Sequence, residues 1–166
     1  MNIHRSAALQ SGAAGTNEAQ ANSDSAARVE LLCPSSQYTI TGAKVFAVVA
    51  GTADKPEVAY LNVALPVSDE ILELAAPVGA TEVFRFAAPC QTYCAHNRNG
   101  TCQLVDKVAR LVPEASEKLP RCAIRNECKW WHQEGADGCR RCSVMATSDP
   151  NQAEPLSRAS APDLTQ

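Results

Sequence analysis

Cysteine spacing constrains this chain more than any other feature of its sequence. Seven of its eight cysteines lie between residues 90 and 142, in the patterns C-x3-C-x-H-x5-C and C-x5-C-x10-C-x2-C. The stretch over 122–142 is mostly polar apart from a pair of tryptophans, so it has too little aliphatic material to fold around a core of its own. We therefore expect sulfur-bound metal, rather than hydrophobic burial, to hold this stretch together.

The last four cysteines predict one complete four-ligand metal site. They are Cys122, Cys128, Cys139 and Cys142. The final pair forms a C-x2-C loop, whose spacing lets two sulfurs reach the same metal ion or cluster. The first pair would approach from the other side, with residues 123–127 looping between them. We treat this group as the primary site.

A second metal site is predicted from Cys90, Cys94 and Cys102, which need a fourth ligand. Cys33 is one candidate, because it is otherwise the odd cysteine of the eight and is followed by proline, as iron–sulfur ligands often are. His96 is the alternative, because the Asn-Gly turn signal that follows it would fold it back towards Cys102. We favour Cys33 and keep His96 as the alternative fourth ligand.

The ligand spacing favours a 4Fe–4S cluster over zinc. Zinc ribbons usually supply two short ligand pairs, whereas the gaps here are long and uneven. A cube tolerates irregular loops better because its ligand sphere is larger. Aromatic and basic neighbours would shield a cluster and offset the thiolate charge. These neighbours are Trp130, Trp131, Arg121, Arg125, Arg140 and Arg141. Zinc remains the alternative cofactor.

Four disulfides in a secreted protein would account for the same even number of cysteines. Asn99-Gly100-Thr101 even matches an N-glycosylation acceptor. Residues 1–28, however, show no basic start followed by a continuous apolar stretch, so we find no secretory signal. We therefore expect a cytoplasmic protein, in which thiols stay reduced and clustered cysteines bind metal.

The expected fold is α+β, with a small β-rich unit containing one helix beside a cysteine-rich, largely irregular metal-binding module. Tails low in large apolar residues are expected to be disordered at both ends. The expected division is a tail over 1–28, the β-rich scaffold over 29–88, the metal-binding module over 89–145 and a tail over 146–166.

The pattern of apolar residues predicts the strands and helices of these two units. Strands are predicted at 29–32, 43–50, 58–63 and 82–86. The second and third of them read as a hairpin. Ser68, followed by two acids and an apolar stripe, predicts a helix start. Apolar residues at helical spacing over 103–112 predict an amphipathic helix inside the module.

Charge and motifs exclude several classes of function. A formal net charge of −3 predicts no general affinity for nucleic acid or anionic membrane. No apolar run approaches the roughly 18 residues of a membrane span. The sequence has no phosphate-binding loop, dinucleotide fingerprint, zinc-protease motif or serine-hydrolase motif. No motif therefore indicates catalysis or a small-molecule substrate, and an enzyme with its own substrate site stays open as an alternative.

Three functions remain as hypotheses. The first is a small iron–sulfur accessory or electron-transfer protein that works beside a larger enzyme. The second is a redox or metal sensor whose labile cluster controls partner binding. The third is a zinc-stabilised interaction or DNA-binding module with a regulatory role. We favour the iron–sulfur functions, and a protein partner over nucleic acid.

Overall fold

The computed structural model describes residues 30–52, 55–145 and 154–163. The predicted tail over 1–28 lies outside this part of the chain. The described residues combine helices with antiparallel sheet, which confirms the α+β class. Within these residues, no helix is both long and apolar enough to cross a membrane.

A four-stranded antiparallel sheet forms the first half of the fold, in the spatial order β1-β4-β2-β3. Its strands are β1 (Leu32–Cys33), β2 (Lys44–Thr52), β3 (Lys55–Pro66) and β4 (Phe84–Pro89). β2 and β3 form the predicted hairpin. Val45, Phe46 and Ala47 are all nearly inaccessible to solvent, so the central strand β2 is covered on both faces.

Two short helices connect β3 to β4. The first, α1 (Asp69–Glu73), begins as predicted, since the Ser68 hydroxyl accepts a hydrogen bond from the Ile71 N–H at 3.4 Å. The second, α2 (Ala80–Val83), takes the first two residues of the strand predicted at 82–86. That strand start was wrong because the Glu82 carboxylate accepts the Gly79 N–H at 3.3 Å and supports a helical turn there.

The cysteine-rich half is more regular than the sequence predicts. Its described residues form a small hairpin of β5 (Asn97–Arg98) and β6 (Thr101–Cys102) and two 3₁₀ turns, at Arg125–Glu127 and Cys142–Val144. They also form three α-helices, α3 (Gln103–Leu111), α4 (Lys129–Arg141) and α5 (Glu154–Ser160). Helix α3 confirms the amphipathic pattern. The expectation of a largely irregular module was wrong at α4, because Trp130 is 1% exposed and holds that helix in an apolar interior.

This half also has an apolar core, contrary to the prediction from its composition. The buried members of that core are Cys102, Leu104, Val105, Val108, Val112, Cys128, Trp130, Met145 and Ala159. Helix α3 supplies most of the aliphatic side chains. Because one tryptophan buries an unusually large apolar area, Trp130 compensates for the lack of aliphatic residues over 122–142.

Helix α5 lies in the region that the sequence predicts to be a disordered tail. Ala159 is fully buried against the core, and the Lys107 ammonium donates to the Asp163 carboxylate at 2.6 Å and to the Ala161 carbonyl at 2.7 Å. The prediction of disorder over 146–166 was therefore wrong for residues 154–163, where one small apolar contact and charged hydrogen bonds fix the chain.

A second apolar cluster joins the two halves across the composition change at Pro89. Its buried members are Leu32, Phe46, Ala47, Ala87 and Ile124. Cys122 and Cys142 pack against it. The sheet and the cysteine-rich half therefore share an interior, and two of the predicted metal ligands lie at that shared boundary.

Candidate metal centres

Four of the predicted ligands line a single cavity of about 220 Å³, which we call the wide cavity. These ligands are Cys33, Cys90, Cys94 and Cys102. His96, the alternative fourth ligand, lines the same cavity. The cavity reaches the protein surface beside Tyr93, which is 82% exposed.

The other four predicted ligands line a separate cavity of about 10 Å³, which we call the narrow cavity. These ligands are Cys122, Cys128, Cys139 and Cys142. This volume suits about one water molecule. Every residue that lines the narrow cavity is buried or half-buried. Four aromatic residues contribute to its wall, namely Phe46, Tyr60, Trp130 and Trp131.

A tight turn shapes one side of the wide cavity. Asn99 and Gly100 both have positive φ, at 51° and 83°, which is the geometry of a two-residue hairpin turn. The Gly100 N–H donates to the Asn97 side-chain oxygen at 2.9 Å. Asn97 pairs with Cys102 in the β5–β6 hairpin. The His96 carbonyl accepts a hydrogen bond from the Gln103 N–H at 2.8 Å. The predicted turn is confirmed, and it brings His96 next to Cys102.

Strand pairing shapes the other side of the wide cavity. Cys33 is paired with Ala88 in the β1–β4 ladder. The Cys90 N–H donates to the Leu31 carbonyl at 2.8 Å, immediately beyond that ladder. Two cysteines that are far apart in the sequence therefore lie on adjacent segments, two positions apart in register.

A kink in α4 shapes the narrow cavity. Gly135 has φ 55° and ψ −129° inside the helix, a conformation that only glycine adopts readily. Cys128 caps the segment before the kink, whereas Cys139 follows it and Cys142 ends the helix. A Cβ atom on Gly138 would lie 2.9 Å from a methyl group of Val105, so α3 and α4 approach each other closely beside Cys139.

Each cavity has one cysteine at the N-terminus of a helix. Cys102 precedes α3 and Cys128 precedes α4. Burial raises the pKa of both thiols, that of Cys128 to about 11, and the backbone N–H groups two and three residues further on oppose the rise. The helix N-terminus therefore favours the thiolate form of each sulfur.

Neighbouring thiols add to the rise in the pKa of one deeply buried cysteine in each cavity. Burial raises the pKa of Cys33 strongly, and the other three cysteines of the wide cavity add to the effect. Burial likewise raises the pKa of Cys142, with further increases from the other three cysteines of the narrow cavity and from Cys33. Without metal, the Cys33 and Cys142 thiols therefore stay protonated at neutral pH, and a metal would displace their protons on binding.

One cation accompanies each group of sulfurs. Lys129 lines the wide cavity and hydrogen-bonds the Gly100 carbonyl. Burial raises the pKa of Cys90, and the Lys129 ammonium opposes that rise. Arg125 lines the narrow cavity and opposes the burial-driven rise in the pKa of Cys122. A positive charge near each group therefore favours its thiolate form.

The structure divides the six residues that the sequence placed around the ligands. Trp130, Trp131 and Arg125 line the narrow cavity. Arg140 and Arg141 instead lie within 3.5 Å and 3.4 Å of the Glu114 carboxylate. The sixth residue, Arg121, is exposed and does not line either cavity.

Two aromatic wall residues of the narrow cavity were not predicted from the sequence. Phe46 and Tyr60 come from the hairpin of the first half. Their only signal was the apolar pattern of the strands, which predicts burial but does not identify what they contact. Burial raises the pKa of Tyr60, and the thiols of Cys142, Cys122 and Cys139 raise it further.

His96 is placed differently from the cysteines of the wide cavity. Its Nδ1 atom is buried and has no hydrogen-bond partner among the described residues. Burial and the Lys107 ammonium lower its pKa, whereas Asp163 raises it. The ring is therefore mainly neutral at pH 7 and responds to charges on the α3–α5 side.

All eight cysteines are free thiols in the structure. Among the described residues, no group of three or more Cys, His, Asp or Glu side chains is arranged to hold a metal ion. No family model matches the chain, and neither curated proteins nor solved structures show significant similarity to it.

Proposed function

We propose that this chain is a small iron–sulfur protein that holds one 4Fe–4S cluster in each cavity. The observation that carries the proposal is the division of its eight cysteines into two groups of four around two separate cavities. A 4Fe–4S cube takes four thiolate ligands, so two cubes would use every cysteine of the chain.

The surroundings of Cys33 support it, rather than His96, as the fourth ligand in the wide cavity. The pKa of Cys33 is raised by burial and by the thiols of Cys102, Cys90 and Cys94. No cysteine contributes to the pKa shift of His96. Strand pairing also brings Cys33 near Cys90, whereas His96 lies beside Cys102 at the base of the turn.

Unpaired N–H groups support a cluster in the narrow cavity. Trp130 Nε1 and Arg125 Nε are both buried and have no hydrogen-bond partner among the described residues, and both residues line the cavity. A buried donor without an acceptor costs about 1–3 kcal/mol. The sulfurs of an iron–sulfur cluster accept N–H hydrogen bonds, so a bound cluster can satisfy such donors.

A bound cluster would accept and release single electrons. The chain would supply the four sulfurs, a nearby cation and the apolar wall that together tune the potential at each site. These properties suit a cytoplasmic accessory, electron-transfer or redox-sensing partner of a larger enzyme. A sensor would change its oligomeric or partner-bound state on exposure to air, whereas a carrier would not.

The test is anaerobic purification or reconstitution followed by metal and sulfide analysis. The proposal predicts a brown protein with about eight iron and eight acid-labile sulfide atoms per chain. Cys94→Ser and Cys139→Ser should each remove about half of the iron, because they act on different cavities. Colourless protein that takes up no iron under these conditions would contradict the proposal.

One observation favours zinc as a second candidate. The narrow cavity of about 10 Å³ has room for about one atom-sized group, and a single tetrahedral ion needs less space than a cube. Binding a cube there requires the sulfurs to move apart. About one zinc per chain, retained by Cys94→Ser and lost in Cys139→Ser, would identify the narrow cavity as a zinc-stabilised interaction module.

A further inference from the structure

A third cavity, of about 500 Å³, lies between β3, the chain that joins α3 to α4, and the C-terminal end of α4. We call it the polar cavity. The polar side chains and the thiol that line it are Glu57, Tyr60, Ser116, Cys139, Arg140 and Ser143. Small-molecule sites have volumes of about 300–1,000 Å³ and a few convergent polar groups, so this cavity has the size and the lining of such a site.

Arg140 offers a ligand in the polar cavity a charged hydrogen-bond donor. Its Nε atom is buried and has no hydrogen-bond partner among the described residues. Its Nη1 atom lies 3.5 Å from the Glu114 carboxylate. Because a buried N–H group without an acceptor is costly and guanidinium groups pair well with carboxylates, Arg140 favours a ligand that carries a carboxylate. Glu57 lines the same cavity, which suits an ammonium group on that ligand.

Cys139 places a thiol in the wall of the polar cavity. Among the described residues it is the only cysteine there, and it is half-buried. Burial raises the pKa of Cys122, Cys128 and Cys142, its neighbours in the narrow cavity. Reactive cysteines lie in partly exposed sites beside cations, and Cys139 shares the polar cavity with Arg140. It is therefore the thiol of its group that a solute can reach.

We propose that the polar cavity binds a small disulfide of the amino-acid type, which carries carboxylate and ammonium groups, and that Cys139 exchanges with it. The Cys139 thiol loses its proton to water, and its sulfur attacks one sulfur of the bound disulfide. A new S–S bond forms to Cys139, and the original S–S bond breaks. Its electron pair leaves with the departing sulfur, which takes up a proton. Cys139 is oxidised, the ligand is reduced, and one small thiol is released.

The exchange goes beyond the proposed function and needs no metal in either cavity. It belongs to the metal-free chain, because a Cys139 sulfur that binds metal is not available to attack a disulfide. The test therefore uses the full chain, reduced and free of metal. Oxidised glutathione is the charged probe, and 2-hydroxyethyl disulfide is the uncharged one. Peptide mapping by mass spectrometry identifies the cysteines that each probe modifies.

Cys94 is the internal reference for this measurement. It is also half-buried, but it lines the wide cavity, where the nearby cation is Lys129 rather than an arginine. A charged hydrogen bond to Arg140 should raise the ratio of Cys139 to Cys94 modification about tenfold with oxidised glutathione, relative to the uncharged disulfide. Equal ratios with the two disulfides would overturn the proposal.

Two neighbouring arginines provide matched variants. Arg140→Gln should lower the ratio for oxidised glutathione to the value found with the uncharged disulfide. Arg141→Gln removes the same charge and another contact with Glu114, at 3.4 Å. Arg141 does not line the polar cavity, so its variant should keep the preference for Cys139. Equal loss of the preference in both variants would indicate a general effect of positive charge and would overturn the role of Arg140.

Iron analysis separates this proposal from the proposed function. Protein that takes up about eight iron atoms per chain, but whose metal-free form shows no preference for Cys139, would refute the disulfide site and leave the iron–sulfur function standing. Protein that takes up no iron but shows the preference would refute the iron–sulfur function and support the disulfide site.

Discussion

The wide and narrow cavities are each lined by four cysteines and differ in their surroundings. Each has four cysteines, one of them at a helix N-terminus, and one nearby cation. The wide cavity reaches the surface beside Tyr93, whereas every residue that lines the narrow cavity is at least half-buried. Burial and N–H donors set the reduction potential of an iron–sulfur cluster. Clusters bound in the two cavities are therefore expected to have different potentials, and the two sites are expected to contribute differently to the stability of the fold.

The largest expected difference between the sites is in stability. Cys128 is 8% exposed, belongs to the apolar core of the second half and bridges to Leu32, whereas Cys94 lies half-buried in a loop. Cys128→Ser places a hydroxyl in that core, which adds a penalty of about 1–3 kcal/mol to the loss of metal. Thermal unfolding of the two reconstituted variants should therefore give a lower midpoint for Cys128→Ser. Equal midpoints would show that both sites support the fold to the same extent.

The close contact between α3 and α4 gives a second test of the narrow site. Gly138→Ala would place a Cβ atom 2.9 Å from the Val105 methyl group, and such overpacking costs about 1–3 kcal/mol. It should also reduce iron binding by the narrow site, because Cys139 is the next residue. Val105→Ala combined with Gly138→Ala should restore part of the lost stability and part of the lost iron binding, as measured by denaturant unfolding and iron content. Failure of this rescue would argue against the steric explanation.

Trp130 should affect the potential of the narrow cluster alone. Trp130→Phe keeps an aromatic ring and removes the buried Nε1–H that lacks a partner among the described residues. An N–H dipole stabilises the added negative charge of a reduced cluster, so the variant should lower that midpoint potential. For a one-electron couple, a tenfold change in equilibrium corresponds to about 59 mV. Potentiometric titration should show a shift of this order or smaller.

Trp131→Phe is the matched control for this measurement. Trp131 lines the same cavity, but its Nε1 is not among the buried side-chain atoms without a partner. Trp131→Phe should leave the potential of the narrow cluster closer to that of the unmodified protein. Neither tryptophan variant should change the potential of the wide cluster. Equal shifts from both tryptophans would point to general polarity rather than to one N–H group.

The smallest expected effect is at α5, which packs on α3 behind the wide cavity. The Lys107 ammonium lowers the pKa of the Asp163 carboxyl by hydrogen bonding. Only the ionised carboxylate binds Lys107. Its contribution to the stability of the folded protein is therefore complete above the ordinary carboxyl pKa of about 3.9, and it is lost as the pH falls through the lowered pKa that Asp163 has in the folded state. Hydrogen exchange should show α5 loosening at acidic pH.

Lys107→Met isolates the same contact at neutral pH. It should speed amide exchange in α5 at pH 7 and remove the carboxylate-dependent change at acidic pH, with little effect on the narrow site. Unchanged α5 exchange in this variant would show that the buried Ala159, rather than the charged contact, holds the helix.

Sequence spacing was enough to separate Cys90, Cys94 and Cys102 from the last four cysteines, because each set comes from one local segment. The place of Cys33 could not be read from spacing, because pairing of distant strands brings it to the wide cavity. The hairpin, the cap at Ser68 and the Asn-Gly turn were also predictable, since each depends on neighbouring residues. The aromatic wall from Phe46 and Tyr60 was not, because it depends on how distant segments pack. Helix α4 was missed because a single buried tryptophan, Trp130, supplies most of its apolar contact.

Iron and acid-labile sulfide analysis of the unmodified, anaerobically prepared protein tests the central claim most directly. Two clusters predict about eight iron and eight sulfide atoms per chain. Protein with intact secondary structure, no iron or sulfide, and all eight cysteines in disulfides or bound to zinc would contradict it.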